Sequence, residues 1–249
     1  MKWIGYLFSI IWRLWFFMVF MIVFILFTPA LFYFTAINKN QVIVAHLTRH
    51  WSKLTLWLSF LFPIIEWEEE IDIKGQYIFC PNHVSTLDIP LLLAVLPAPM
   101  QYIGKAEIAN IPFFGYFFRN NSVIVDRKNR KDSYNAFLKA GKRLSEGLNM
   151  CIFPEGGIPE KDVFLKKFKN GPFRLAIEQN LTIIPVTIPD NKDVFPVEYY
   201  KGRPGFIRVK VHKALNQNNL DNKTIKNLNM SVYNTIFKQL KKYEKEHNS

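Results

Sequence analysis

Apolar positions along this chain follow two patterns, which change over near residue 63. From Leu14 to Ile37 no charged side chain interrupts the run, and its 24 residues exceed the roughly 20 that a helix needs to cross a bilayer core. The stretch Val42–Phe62 is less apolar. His46, Arg49, His50 and Lys53 lie along one helical flank, with Val42, Leu54, Trp57, Leu58 and Leu61 among the apolar positions, the pattern of an interfacial helix. Two arrangements remain open, a single crossing or a helical hairpin in one leaflet with Asn38-Lys39-Asn40 as its turn. All six tryptophans fall in or just after this region, where residues that favour the headgroup level belong. A cleaved signal peptide does not fit, because the apolar run is too long and no clear small-x-small site follows it.

Beyond Glu66 the pattern becomes one of short β-like runs separated by helical ones. Ile71–Ile73, Gln76–Cys80, Gln101–Gly104, Ser122–Asp126, Met150–Phe153, Thr182–Ile188 and Phe206–Val211 read as strands. Between them, Leu91–Leu96 reads as helix. Asp132 is placed to cap a helix through Tyr134, Phe137, Leu138, Gly141 and Leu144 that ends near Gly147, and Pro172–Gln179 suits another. Ile225, Leu228, Val232, Ile236, Leu240 and Tyr243 recur at steps of three and four, the stripe of an amphipathic helix. Such alternation predicts an α/β fold, a mostly parallel sheet flanked by helices, preceded by an N-terminal membrane-embedded helical pair. The boundary falls between anchoring helices at 1–62 and an α/β domain at 63–249.

Composition sharpens this reading. The 249 residues carry 32 Lys+Arg against 20 Asp+Glu, a formal charge of +12, yet Met1–Phe62 holds no acidic residue and only five basic ones. A basic balance suits an anionic membrane surface, a phosphorylated substrate or nucleic acid. Nucleic acid is disfavoured, because the basic residues accompany an apolar segment and no stacking motif is present. Cys80 ends one predicted strand and Cys151 lies in another, so no disulfide framework is expected and a reducing compartment fits.

The chemistry begins at Cys80-Pro81-Asn82-His83-Val84-Ser85-Thr86-Leu87-Asp88. Imidazole can take a hydroxyl proton near neutral pH, and a carboxylate can fix its tautomer and stabilise the imidazolium. Five helical positions are roughly 500° of rotation, so a direct pair of His83 with Asp88 needs a turn between them, for which Ser85 and Thr86 are suited. The competing reading makes Asp88 a helix cap and His83 a loop residue. A second stretch, Asn120 to Arg127, is an apolar strand ending in an Asp126-Arg127 pair. Its guanidinium suits bidentate phosphate binding, unless the two form only a local ion pair. A third, Phe153-Pro154-Glu155-Gly156-Gly157-Ile158-Pro159, sets a carboxylate among residues that allow close backbone approach. That carboxylate could hold substrate hydroxyls or anchor neighbouring donors. Lys166, Lys167 and Lys169 add a cationic loop. Cys80 is a weak alternative nucleophile, and the five histidines show no zinc-ligand spacing.

Taken in order, Asn82-His83-x4-Asp88, Gly104-Lys105-x-Glu107 with Ile111–Gly115, Val125-Asp126-Arg127, Phe153-Pro154-Glu155-Gly156 and Ile184-Pro185-Val186 resemble the glycerolipid acyltransferases, specifically the bacterial 1-acyl-sn-glycerol-3-phosphate (lysophosphatidic acid) acyltransferases. The resemblance covers roughly residues 60 to 215. It implies that His83 is the general base on an acceptor hydroxyl and Asp88 its orienting partner, and that acyl-CoA or acyl-carrier protein is the donor. Asn82, Ser85, Lys105, Arg127, Phe153, Pro154, Glu155, Gly156 and Gly157 would then bind substrate, with no metal or other cofactor. It further implies membrane lipid as acceptor and a bacterial inner-membrane location with the catalytic domain on the cytoplasmic side. Two departures stand out. The block usually written Glu-Gly-Thr-Arg reads Glu155-Gly156-Gly157-Ile158, and a Lys-x2-Phe-x6-Arg pattern from Lys105 meets Ile108 and Gly115. Arg119, Lys161 and Lys166 are the cations available to substitute. The acceptor is therefore open between lysophosphatidate, glycerol-3-phosphate and a lyso-aminolipid. Thioester hydrolysis and a purely membrane-binding role are the alternatives from other classes.

Overall fold

A computed structural model describes residues 2–97, 99–126, 129–215 and 224–248. The chain forms two compact units, each assembled from separated segments: Met1–Glu66, Val84–Ala98 and Ile188–Val209 in the first, Trp67–His83, Pro99–Thr187 and Lys210–Ser249 in the second.

In the first unit, α1 (Lys2–Phe32) continues into a π-helical turn at Tyr33–Ile37, and α2 (Gln41–Leu58) follows. Asn40 starts α2 by accepting the Ile43 amide on its side chain at 3.1 Å, satisfying one of the orphan amides of a helix start. Ser9, Trp12, Arg13, Phe16, Val19 and Val23 of α1 are buried at helical spacing. The rest of the helix is apolar too, with Leu7, Ile11, Leu14, Met18, Ile22 and Ile25 exposed. A helix apolar on every face belongs in protein core or lipid. The Trp51 ring of α2 meets Phe20 edge-on at 4.8 Å.

The interfacial stretch expected to run to Phe62 stops earlier. Phe60 takes a left-handed φ of 58°, and Leu61–Trp67 extends as β1. Pro63 has no amide hydrogen to continue a helical ladder, but it is tolerated on an edge strand such as β1. The first unit also contains α3 (Asp88–Val95), the short α7 (Asn191–Val194) and the start of β7 (Gly205–Val211).

The remaining strands are β2 (Tyr77–Pro81), β3 (Met100–Lys105), β4 (Val123–Val125), β5 (Asn149–Cys151) and β6 (Thr182–Thr187). The seven strands run in the order β1-β7-β6-β2-β5-β3-β4. Every pairing from β6 to β4 is parallel, with β2 central: Pro81 lies opposite Val186, and Ile78 opposite Met150. The β6–β7 ladder at Val186↔Val211 is antiparallel. The helices of the second unit are α4 (Phe114–Asn121), α5 (Arg130–Ser145), α6 (Gly171–Glu178) and α8 (Ile225–Asn248). Leu228, Val232, Ile236 and Leu240 of α8 enter one core with Phe173 and Leu175 of α6 and Ile78 and Ile183 of the sheet, as the spacing of three and four predicts.

Two local expectations are corrected. Ile71–Ile73 is no strand, because Asp72 closes a turn with its side chain on the Lys74 amide and its carbonyl on the Gly75 amide, both at 2.9 Å. Asn129, not Asp132, caps α5 by accepting from Lys131 and Asp132 amides, which leaves Asp132 in the first turn facing the helix dipole.

Candidate active site

In parallel sheets, functional groups gather beyond the carboxyl ends of strands. In the second unit β2 delivers Asn82 and His83 there, while neighbouring β5 delivers the loop Phe153–Gly157. His83 is held by both backbone and ring. Its backbone amide donates to Glu155 Oε1 at 2.7 Å, and its ring lies on Phe153, with centroids 4.0 Å apart and planes 20° from parallel. The second Glu155 oxygen accepts the Lys166 amide at 3.0 Å. Glu155 is buried, so of the two roles open to a carboxylate here the structure displays the anchoring one. Asn82 is also buried, and its amide bonds the Val186 carbonyl at the end of β6.

Phe153 also walls a cavity of about 160 Å³, with Ile103, Val125, Phe137, Ile152 and Leu175 as its apolar lining and Pro154, Gly156 and Lys169 on the same boundary. Gly156 is in the left-handed region, φ 75°, and a Cβ there would lie 2.7 Å from Lys169 Cε and 2.9 Å from its ammonium nitrogen. The absent side chain lets a cation lie against the loop. Gly157 is half-buried beside it.

The other predicted cations are distributed unevenly. Lys105, at the end of β3, is exposed and paired with Glu107 at 2.9 Å, a surface ion pair of little energetic weight. At Gly115 a Cβ would fall 2.2 Å from the Ala109 carbonyl oxygen, which explains why no arginine occupies that position. Arg119, one turn further along α4, donates to that same carbonyl. Arg127 lies outside the described residues. Cys80 is fully buried, and burial pushes its thiol well above the ordinary range, so it supplies no thiolate nucleophile.

In the first unit the turn preceding α3 is built around Asp88. Its Oδ2 accepts the amides of Val84 at 2.7 Å and Ser85 at 3.0 Å, and its Oδ1 accepts Asn191 Nδ2 at 2.6 Å. Asp88 is fully buried, and a buried carboxylate persists only with such donors. It therefore shapes the turn upstream and is not merely a cap for α3. The Ser85 hydroxyl donates to the Phe195 carbonyl at 2.6 Å and accepts the Leu87 amide at 3.2 Å, so Ser85 is a turn-holding residue in this structure. Asn191 has no signal in the sequence that would single it out, since it lies 103 positions from Asp88 in no recognisable motif.

The family model described as Acyltransferase matches residues 64–189. A 1-acyl-sn-glycerol-3-phosphate acyltransferase of Borreliella burgdorferi is 26% identical over 189 residues, which is 76% of this chain and 75% of that one. One of the same name from Saccharomyces cerevisiae is 28% identical over 75% of this chain and 62% of its own. A lyso-ornithine lipid O-acyltransferase of Pseudomonas aeruginosa is 29% identical over 56% of this chain and 54% of its own. The crystal structure of the 1-acyl-sn-glycerophosphate acyltransferase from Thermotoga maritima superposes with a TM-score of 0.78 over 98% of both chains at 22% identity, which establishes the shared fold.

Proposed function

This chain belongs to the acyltransferase family, and from that premise we propose that it is a membrane-associated O-acyltransferase that converts lysophosphatidate to phosphatidate with acyl-CoA or acyl-carrier protein as donor. The observation carrying the reading is the double fixation of His83, its amide on buried Glu155 and its ring on Phe153, whose other role is to wall an apolar cavity. A base held in one place beside an apolar recess suits a hydroxyl acceptor and a fatty acyl thioester.

In the proposed step, His83 takes the proton of the acceptor hydroxyl as that oxygen attacks the thioester carbonyl. The tetrahedral intermediate collapses to the ester, and the departing sulfur takes the proton back from the imidazolium. Asp88 stabilises the charged imidazole. Lys105, Arg127 and the cations around Gly156 receive the acceptor phosphate. The reading places the apolar outer face of α1 in lipid, at a bacterial inner membrane with the α/β domain cytoplasmic, where acyl thioesters are found. The net charge of +12 favours an anionic leaflet.

A second acceptor class is favoured by one observation. Gly157-Ile158 replaces the usual Thr-Arg, and a lyso-ornithine lipid enzyme is among the relatives, so a lyso-aminolipid without phosphate is the competing substrate. The test is transfer of labelled acyl groups from each donor to lysophosphatidate, lyso-ornithine lipid and glycerol-3-phosphate, comparing the parent with His83→Ala. Labelled phosphatidate, lost on the order of a thousandfold in the variant, is the expected result. Free fatty acid without acylated product would point to a hydrolase, and equal rates in parent and variant would remove His83 from the mechanism.

A further inference from the structure

Arg13 is a charged residue within the stripe that α1 buries, and it is 4% exposed. Its Nε donates to the Lys201 carbonyl at 2.7 Å and its Nη2 to the Pro196 carbonyl, while the guanidinium carbon stands 4.2 Å above the centre of the Phe195 ring. Phe16 touches the same ring at 4.8 Å and Trp12 at 5.9 Å. One turn earlier, Ser9 donates to the Gly202 carbonyl at 2.8 Å. Gly202, at φ 120°, would place a Cβ 2.8 Å from the Val194 carbonyl and 3.3 Å from Arg13 Nε, so only glycine lets this loop lie so close to the helix. The loop 195–202 is thus fastened to α1 by a planar fork of donors, an arrangement a single ammonium cannot reproduce.

The same short segment holds the Asp88 turn at its other side. Phe195 gives its carbonyl to Ser85 Oγ, and Asn191, the first of the four residues of α7 that lead into Phe195, donates to Asp88 Oδ1. The Phe195 amide closes back on the Asn191 carbonyl at 3.0 Å, and Val194 between them is fully buried, so the link is stiff. We propose that Arg13, Phe195 and Asn191 are positioning residues, a brace from the apolar helix through 191–202 to the Ser85–Asp88 turn. Seating of α1 then sets the rate of the acyl transfer as well as access to lipid. This rests on the function proposed above.

The test uses the full-length protein in detergent with a water-soluble short-chain lysophosphatidate and acyl-CoA, so that reaching a bilayer limits nothing. Arg13→Met and Arg13→Lys are expected to lower kcat by on the order of 10–100-fold, with KM for either substrate within about twofold. Ser85→Ala, harmful in the parent, should add little on an Arg13→Met background, because both act through one link. Hydrogen exchange supplies a readout that needs no turnover. In Arg13→Lys the amides of Val84 and Ser85 should exchange faster by about tenfold or more, while β2 and β6 keep their protection. A parent inactive on lysophosphatidate but showing this selective exchange would overturn the assigned substrate and leave the brace standing. Unchanged protection at residues 84–88, a loss confined to KM, or additive effects with Ser85→Ala would overturn the brace. If Arg13→Met does not fold, Arg13→Lys decides alone, and full kcat in that variant refutes the proposal.

Discussion

Replacing Glu155 by glutamine separates the two roles a carboxylate in this loop can play. Each Glu155 oxygen accepts a backbone amide, from His83 at 2.7 Å and Lys166 at 3.0 Å, and the residue is 3% exposed, so the bonds are made without water in competition. A glutamine of the same shape keeps one acceptor and turns an NH₂ group toward the other amide. One charge-assisted bond is lost, worth about 1.5–3 kcal/mol, and the abandoned amide stays buried. For a chain of this size that is a fall in Tm of about 3–12 °C. The kinetic consequence falls on His83, whose amide is one of the two that Glu155 holds. A base displaced by a fraction of an ångström lowers kcat by roughly 10–100-fold while acceptor KM stays within about threefold.

The assay pairs thermal unfolding in detergent with steady-state transfer to lysophosphatidate. If Glu155 instead held the glycerol part of the acceptor, Glu155→Gln would unfold at the parental temperature and show its defect in acceptor KM. That pattern would refute the anchoring argument.

Further outcomes follow from neighbouring residues. Gly156→Ala forces a β-carbon into a left-handed position and onto Lys169, at a cost of about 1–2 kcal/mol in thermal unfolding; Lys169→Ala added to it should recover only the steric part. Lys169→Met alone should raise KM for lysophosphatidate several-fold and leave that for lyso-ornithine lipid unchanged; equal effects on both would deny this ammonium a phosphate role. Glu68 bears on pH. Burial would raise its carboxyl, but His212 at 3.0 Å, the Lys213 amide and Lys210 at 3.2 Å outweigh it and hold the group below its ordinary 4.5. A depressed carboxyl contributes stability in full above its ordinary value and loses it as pH falls through its folded value. The stability gap between parent and Glu68→Gln should therefore close as pH falls through the acid range; a gap unchanged down to pH of about 3 would contradict this linkage.

Periodicity was enough to find most of this fold, because the strands of a buried parallel sheet are short apolar runs and α6 and α8 carry clear stripes of three and four. The chain failed to show its structure where a local device competed with periodicity. Asp72 turned an alternating triplet into a loop, and the left-handed Phe60 cut an interfacial helix short and started β1. The candidate site was legible as blocks, since His83, Asp88 and Glu155 lie in compact motifs. What Glu155 does with its oxygens was not legible, because both partners are backbone amides, 72 and 11 residues away, whose identity no side chain advertises. The Phe195 carbonyl was hidden for the same reason, and Asn191 because it lies 103 positions from Asp88 in no motif.

Arg13 shows how far composition can mislead about division of labour. In the sequence it marks the polar edge of an uncharged run, as an anchor's flanking cation does, and everything before residue 63 looks separable from the chemistry. In the structure it is as buried as the tryptophan beside it, and its donors end on carbonyls 183 and 188 residues away. A solvated flanking cation would need no such partners; a desolvated guanidinium does, and it secures them only from a loop that comes close enough to supply both. The helix therefore cannot be removed as a tag is removed. Deleting it strips the loop 195–202 of its donors and the first unit of Trp12, Phe16 and Val19, so a truncated protein would test the integrity of the Asp88 turn as much as the attachment to lipid. Point substitutions at Arg13 in the intact chain are the cleaner instrument, because they alter the fork while leaving the apolar face of α1 in place.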